Sequence, residues 1–235
     1  MGDVKIYEAP EVSLLGWSGL GEMHALLQWS GLDELPSATR LMEMAGKSCY
    51  WSFGRGRTGQ EYIDNILEQG HGSVLEHHYY TLGLKGISRS CSHELVRHRH
   101  LSYSQLSQRY STLVEFVKPP NWEQHGPVSF EQKCATAKAR YEQPMDIPLP
   151  EHETKRWREV NRAFLPNCTA TRMVVSGNAR AWWNFLLTRG TKHADAEMQR
   201  LAVAIWKVLL ETDRPIFSRI EQKEDGSLRS KYGKI

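Results

Sequence analysis

At 235 residues and 27.0 kDa the chain is long enough for one large domain or two small ones. Its 30 Lys and Arg against 27 Asp and Glu leave a net charge of +3, which excludes a strong polyanion binder. Cys49, Cys91, Cys134 and Cys168 lie far apart with no Cys-x-x-Cys pair, so neither zinc nor a disulfide framework is indicated. Four reduced thiols in a cytoplasmic protein are expected. No basic-then-apolar leader opens the chain and no apolar run is long enough to span a bilayer, so no membrane partner is expected. Eight tryptophans suggest packing or subunit contacts.

In chain order, Val4 to Tyr7 predicts a first strand. Residues 22–29 and 38–48 predict helices, and Gly54-Arg55-Gly56-Arg57-Thr58-Gly59 a loop. A helix over about 60–69 follows from Ile63, Ile66 and Leu67 at helical spacing, with Gly70 as its stop. His78 to Ile87 alternates and is rich in Tyr, Thr and Leu, which predicts a strand. Ser88, Ser90 and Ser92 offer caps for a short helix ending near Val96. Val114 to Val117 predicts a strand stopped by Pro119-Pro120. Charged helices are expected over 128–142 and 151–164, separated by Pro144, Pro148 and Pro150. Thr169 to Ser176 predicts a strand and Ala179 to Thr188 a helix. A longer amphipathic helix over 194–211 carries Leu201, Ile205, Val208 and Leu209 on one stripe. From about Glu221 the tail is polar and expected to be irregular. No repeat or composition break marks a boundary. The expected fold is a single mixed domain of the α+β type over residues 1–235, with a central, mainly antiparallel sheet flanked by helices.

Chemistry concentrates in residues 97–110, Arg-His-Arg-His-Leu-Ser-Tyr-Ser-Gln-Leu-Ser-Gln-Arg-Tyr. The run carries almost no acid, whereas an ordinary solvated face mixes both signs. If extended from Arg97, it would put Arg97 and Arg99 on one side, and Gln105, Ser107 and Arg109 together on one side. Forked guanidiniums with hydroxyl and amide donors suit a phosphate and a pyrimidine edge. The positive charge is local, with Arg89, Arg97, Arg99 and Arg109 close in sequence, which fits a small anion better than a duplex.

A second cluster is Asn178-Ala179-Arg180 with Asn184 and Arg189. On a helix Arg180 and Asn184 share a face. Arg189 falls about 180° round from Arg180, on the stripe of Trp182, Phe185 and Leu186. A charge on an apolar stripe is costly unless it meets an anion or an acceptor. The spacing therefore suggests one helix serving two ligands. A third cluster, Gly70-His71-Gly72-Ser73-Val74-Leu75-Glu76-His77, sits between a helix and a strand. Two apparent motifs fail. In His93-Glu94-Leu95-Val96-Arg97-His98 the second His lies about 140° from the first on a helix, so the pair cannot chelate zinc and no metal is expected. The loop from Gly54 to Gly59 has neither Walker nor dinucleotide-fingerprint spacing.

The pattern RHRxxSxxxxSxRY, met by Arg97-His98-Arg99, Ser102, Ser107, Arg109 and Tyr110, resembles the hallmark of the flavin-dependent thymidylate synthases. Their Gly-His-x-Ser-x-x-Glu-His segment and their Asn-x-Arg, Asn and Arg spacing are also matched. The resemblance implies reductive methylation of dUMP to dTMP, with methylenetetrahydrofolate as carbon donor and FAD reduced by NADPH as hydride source. It implies a homotetramer with sites shared between subunits and no nucleic-acid partner. It assigns FAD to Ser73, Arg97, His98, Arg99, Gln105, Asn178, Arg180 and Asn184. It assigns dUMP to Glu94, Leu95, Val96, Arg97, Gln105, Leu106, Ser107, Gln108, Arg109 and Arg162. Arg189 would polarise the uracil ring at its N3 and O2 edge, stabilising charge that develops on the ring. A thiol nucleophile is then unnecessary, and Ser107 is a donor rather than a nucleophile, since no base stands beside it. The chain departs from some relatives in carrying Gln105 for Glu and Ser104 for Asn, and Gln105 cannot act as a base. Glu94 places a negative charge near the expected phosphate and could instead brace Arg97. Two other classes predict different behaviour: a flavoprotein oxidase or reductase would not bind dUMP, and a single-strand nucleic-acid module stacking on Tyr103 and Tyr110 would be colourless.

Overall fold

The computed structural model describes residues 4–18, 37–126, 129–142 and 150–235, so the helix expected over 22–29 lies outside the described residues. The chain opens with strands β1 (Ile6–Tyr7) and β2 (Glu11–Trp17). β2 escapes a period-two search because Leu14 and Leu15 are adjacent, placing apolar side chains on both faces; Leu15 and Trp17 are exposed. Helices α1 (Ser37–Tyr50) and α2 (Gly59–Glu68) follow. α2 buries the predicted Ile63, Ile66 and Leu67, and Gly70 leaves it at φ +68°, a conformation that favours glycine. A 3-10 turn, Gly72–His77, leads into β3 (Tyr79–Ser88). The Ser88 hydroxyl then accepts from the Cys91 amide at 3.0 Å and starts α3 (Arg89–Leu95), as the serine spacing predicted.

Beyond α3 come β4 (Leu101–Gln105), β5 (Phe116–Val117) and helices α4 (Trp122–His125), α5 (Phe130–Tyr141) and α6 (Glu151–Asn161). Then follow β6 (Ala170–Asn178), α7 (Ala179–Arg189), α8 (Ala196–Thr212), α9 (Arg214–Phe217), β7 (Glu221–Gln222) and β8 (Leu228–Arg229). Four strands form a sheet in the order β2-β3-β6-β4. Its pairs are antiparallel, as expected. The β3–β6 pair carries bonds between His78 and Ala179 at one end and between Arg89 and Thr169 at the other.

The chain divides into two compact units. The first comprises Met1–Glu11, Leu84–Arg97 and Tyr103–Val174. Its core is Val114, Phe116, Phe130, Cys134 and Tyr141, with Ile6, Trp122, Trp157 and Leu165 packed around them. Each large apolar side chain buried here contributes about 2–3 kcal/mol. The second unit comprises Val12–Gly83, His98–Ser102 and Val175–Ile235. There α7 buries Trp182, Phe185 and Leu186, and α8 buries Leu201, Ile205 and Leu209, as their periodicity predicts, while Val208 of the same expected stripe is only half-buried. Asp195 caps α8 by accepting from the Glu197 amide at 2.9 Å.

The tail corrects the expectation of irregularity. β7 and β8 pair antiparallel across a turn at Asp225-Gly226, where Gly226 has φ +76° and the Asp225 carboxylate accepts from the Ser227 amide at 3.0 Å. Asp-Gly is a strong hairpin signal, here overshadowed by the polar composition around it.

A buried polar cluster fixes α9. Asp213 is fully buried and accepts from the Tyr80 hydroxyl at 2.6 Å and the Thr39 hydroxyl at 3.2 Å. Burial outweighs these bonds and pushes the Asp213 carboxyl up to about 6. A carboxyl whose folded value exceeds its unfolded one favours folding at low pH. That contribution is lost as pH rises from about 4 to about 6. Asp213→Asn keeps an acceptor but removes the ionisation. Its stability relative to wild type should therefore rise by on the order of 2–3 kcal/mol between pH 4 and 7.5. Denaturant unfolding of both proteins at the two pH values checks this, and a pH-independent difference would refute it.

Candidate active site

The basic run is not extended from its start. Arg97 to His100 form a turn, in which the Arg97 amide donates to the Glu94 carbonyl at 3.2 Å and the Leu101 amide to the His98 carbonyl at 3.1 Å. The strand covers only Leu101–Gln105, and a second turn begins at Ser107. The Ser107 hydroxyl accepts from the Arg109 amide at 3.3 Å, and its carbonyl accepts from the Ser111 amide at 3.0 Å. Local bonds of this kind compete with a sheet ladder. The two same-side groupings expected from strand alternation therefore do not hold: Arg97 and Arg99 are exposed turn residues flanking a half-buried His98.

Apart from Arg189, the residues assigned to nucleotide all lie in the first unit. The Gln105 amide is engaged, donating to the Ser92 hydroxyl at 2.9 Å and the Thr171 hydroxyl at 3.3 Å. Leu95 is fully buried and its carbonyl accepts from the Tyr103 hydroxyl at 2.8 Å, so only its backbone could reach a ligand. Val96, Leu106 and Gln108 are exposed or half-buried, and Glu94 is half-buried. Arg162 is exposed at the 3-10 turn after α6.

Arg89, absent from the residues assigned by sequence, stands among them. Its Nη2 donates to the Leu106 carbonyl at 2.9 Å, while its Nε is buried without a hydrogen-bond partner. Burial, and then the neighbouring Arg162 guanidinium, lower its affinity for a proton. Arg109 pairs with Glu159 at 3.2 Å, and its Nε is likewise buried and unpartnered. Crowded guanidiniums with unused donors are what a dianionic phosphate would satisfy. A signal for Arg89 existed in the sequence, since it opens α3, where a cation opposes the helix dipole and needs another reason to be there.

In the second unit α7 presents two faces, as its spacing predicts. On one, Arg180 Nε and Asn184 Nδ2 both donate to the main-chain oxygen of Ile235, each at 3.0 Å. Arg180 Nη1 pairs with Glu76 at 2.6 Å, and Trp183 Nε1 donates to the Gly233 carbonyl at 2.8 Å. Asn178 serves as the N-cap of α7, accepting from the Ala181 amide at 2.8 Å. Gly72 permits this approach, because a Cβ there would lie 2.7 Å from Arg180 Nε. Ser73 is exposed on the same 3-10 turn. Donors of this kind could hold a flavin cofactor through its oxygens. Arg180 and Asn184 already hold an acceptor oxygen, and the Asn184 Oδ1 is buried without a partner, ready for a hydroxyl.

On the opposite face Arg189 meets an acceptor: its Nε donates to His98 Nε2 at 2.9 Å. His98 also sets its ring edge-on to Phe185 at 5.1 Å. Burial first, then the Arg189 and Lys234 charges, hold His98 down at about 4, so the imidazole is neutral and able to accept. The cost of a cation on this stripe is thus met by a residue of the arginine-rich run itself.

None of the four cysteines is disulfide-bonded, Cys91 is buried, and the Cys134 thiol is pushed far up by its hydrogen bond with Cys168 and by burial.

Residues 32–213 match the family model described as thymidylate synthase complementing protein. The flavin-dependent thymidylate synthase of Mycolicibacterium vanbaalenii is 40% identical over 197 residues, covering 77% of this chain and 79% of that protein. The protein of the same name from Mycobacteroides abscessus is 42% identical over 193 residues, covering 75% and 77%. That of Mycobacterium tuberculosis is 39% identical over 197 residues, covering 77% and 79%. With most of the chain matched at this identity, the protein belongs to the flavin-dependent thymidylate synthase family.

Proposed function

We propose that this protein converts dUMP to dTMP, taking a one-carbon unit from methylenetetrahydrofolate and a hydride that originates in NADPH. The observation that carries the reading is the two-faced α7, with Arg180 and Asn184 on one side and Arg189 on the other. FAD, when bound, supplies the hydride that completes the methyl group. Ser73, Arg97, His98, Arg99, Gln105, Asn178, Arg180 and Asn184 form its site, and Arg180 and Asn184 exchange the Ile235 oxygen for groups of the cofactor. Arg97, Arg109 and Arg162 take the dUMP phosphate, assisted by Ser107, Gln108 and the backbone of 94–96 and 105–106. Arg89 joins them. Arg189 sets a guanidinium against the uracil edge and stabilises negative charge on the ring, so no thiol adduct at C6 is needed. The enzyme acts as a homotetramer in the cytoplasm, with sites shared between subunits. The exposed Leu15, Trp17 and Trp51 support burial against another copy. Among the described residues no helix is long and apolar enough to cross a membrane.

Purified protein should be yellow, with about one FAD per chain. dTMP should form only when dUMP, methylenetetrahydrofolate, FAD and NADPH are all present, with tetrahydrofolate as the folate product. A colourless protein that fails to quench added FAD would end this reading, and an active monomer by light scattering would end the shared-site assembly. Replacing all four cysteines by alanine should leave measurable turnover, because activation of the ring is assigned to the Arg189 guanidinium and not to a thiol. Complete loss in a variant with a normal melting temperature would reveal a cysteine nucleophile.

A further inference from the structure

We propose that His98 is a positioning residue for Arg189: its neutral imidazole accepts the Arg189 Nε–H and so sets the plane of the guanidinium that faces the uracil. The inference rests on the assignment of Arg189 to the uracil edge. Its basis is the 2.9 Å bond from Arg189 Nε to His98 Nε2, made on the one face of α7 that is otherwise Trp182, Phe185 and Leu186. A hydrogen bond at Nε restrains rotation about the last side-chain torsion, and the planar fork turns with it. The His98 ring is itself held, edge-on to Phe185 at 5.1 Å and between two exposed arginines in the turn that ends at the Leu101 amide. A fixed donor stabilises developing charge better than a mobile one, because no reorganisation is needed when the charge appears. The Arg-His-Arg run then has a second role. Besides any contact with flavin, its central residue fixes the orientation of the group that acts on the nucleotide.

A double-mutant cycle tests this, with kcat/KM for dUMP, dUMP affinity, FAD absorbance and melting temperature read on the same samples. His98→Phe keeps a flat ring against Phe185 but removes the acceptor. His98→Gln places an amide oxygen near the position of Nε2. With Arg189 present, His98→Phe should lower kcat/KM for dUMP about tenfold, a loss typical of directly bonded partners, and His98→Gln should recover most of it. In the Arg189→Ala background the loss caused by His98→Phe should be several-fold smaller than with Arg189 present, any remainder being its contact with flavin. Equal losses in both backgrounds would overturn the positioning role while leaving Arg189 at the uracil edge. Loss of FAD that is the same in both backgrounds, and that His98→Gln does not restore, would assign His98 to the cofactor alone and also overturn it. An Arg189→Ala protein with normal turnover would remove the uracil assignment and this inference with it.

Discussion

Arg189→Ala is expected to lower dTMP synthesis by about a hundredfold or more with FAD still bound, the loss of one fixed donor to developing charge being worth on the order of 3 kcal/mol. Flavin should be retained because Arg180 and Asn184 lie on the other side of α7, where they share the Ile235 oxygen. Arg189→Lys should rescue poorly. An ammonium keeps the charge but offers neither a planar fork nor the Nε–H that meets His98 at 2.9 Å. Truncation also leaves His98 Nε2 without this donor in a half-buried place, a cost that falls on stability rather than on the reaction. FAD content, dUMP affinity, turnover and melting temperature of the same preparation separate the two effects. Near-normal turnover would refute the assignment, and loss of FAD with retained dUMP binding would mean that the faces of α7 are exchanged.

Removing Arg89 should weaken nucleotide binding nearly as strongly, and by a route that phosphate reveals. Its buried Nε has no partner, and its charge lies near that of Arg162, an arrangement that an anion stabilises. Arg89→Met keeps the stem and removes the charge, and should weaken dUMP binding by about 2–3 kcal/mol, the worth of charged hydrogen bonds. Binding of deoxyuridine, which lacks the phosphate, should change little. The ligand-free variant should be no less stable at low salt than at high salt relative to wild type, since one of two like charges has gone. Because Arg89 Nη2 also holds the Leu106 carbonyl at 2.9 Å, a merely structural role would weaken dUMP and deoxyuridine equally. That outcome would remove Arg89 from the phosphate site.

What the sequence determined by itself was whatever depends on neighbours in the chain. The positions of α1, α2, α3, α5 to α8, β3 and β6 follow from apolar periods of 3.6 and 2 and from caps such as Ser88. The two faces of α7 follow from the same geometry, since residues four apart must align and residues nine apart must oppose. The family could be read from the arginine-rich run, whose residue types and order are a matter of spelling. Tertiary structure decided the rest. β2 could not be seen because both of its faces carry apolar residues, and a strand of that kind is defined only by its partner β3. Arg97 to His100 turn instead of extending because α3 ends immediately before them and β4 begins only at Leu101, where pairing with β6 starts. The partner of Arg189 proved to be a residue 91 positions earlier, and the main-chain oxygen on Arg180 and Asn184 comes from about fifty positions later. No spacing rule reaches across such separations. Which donor meets which acceptor there is set by how the buried apolar faces pack, because only that packing decides which polar groups are brought within hydrogen-bonding distance.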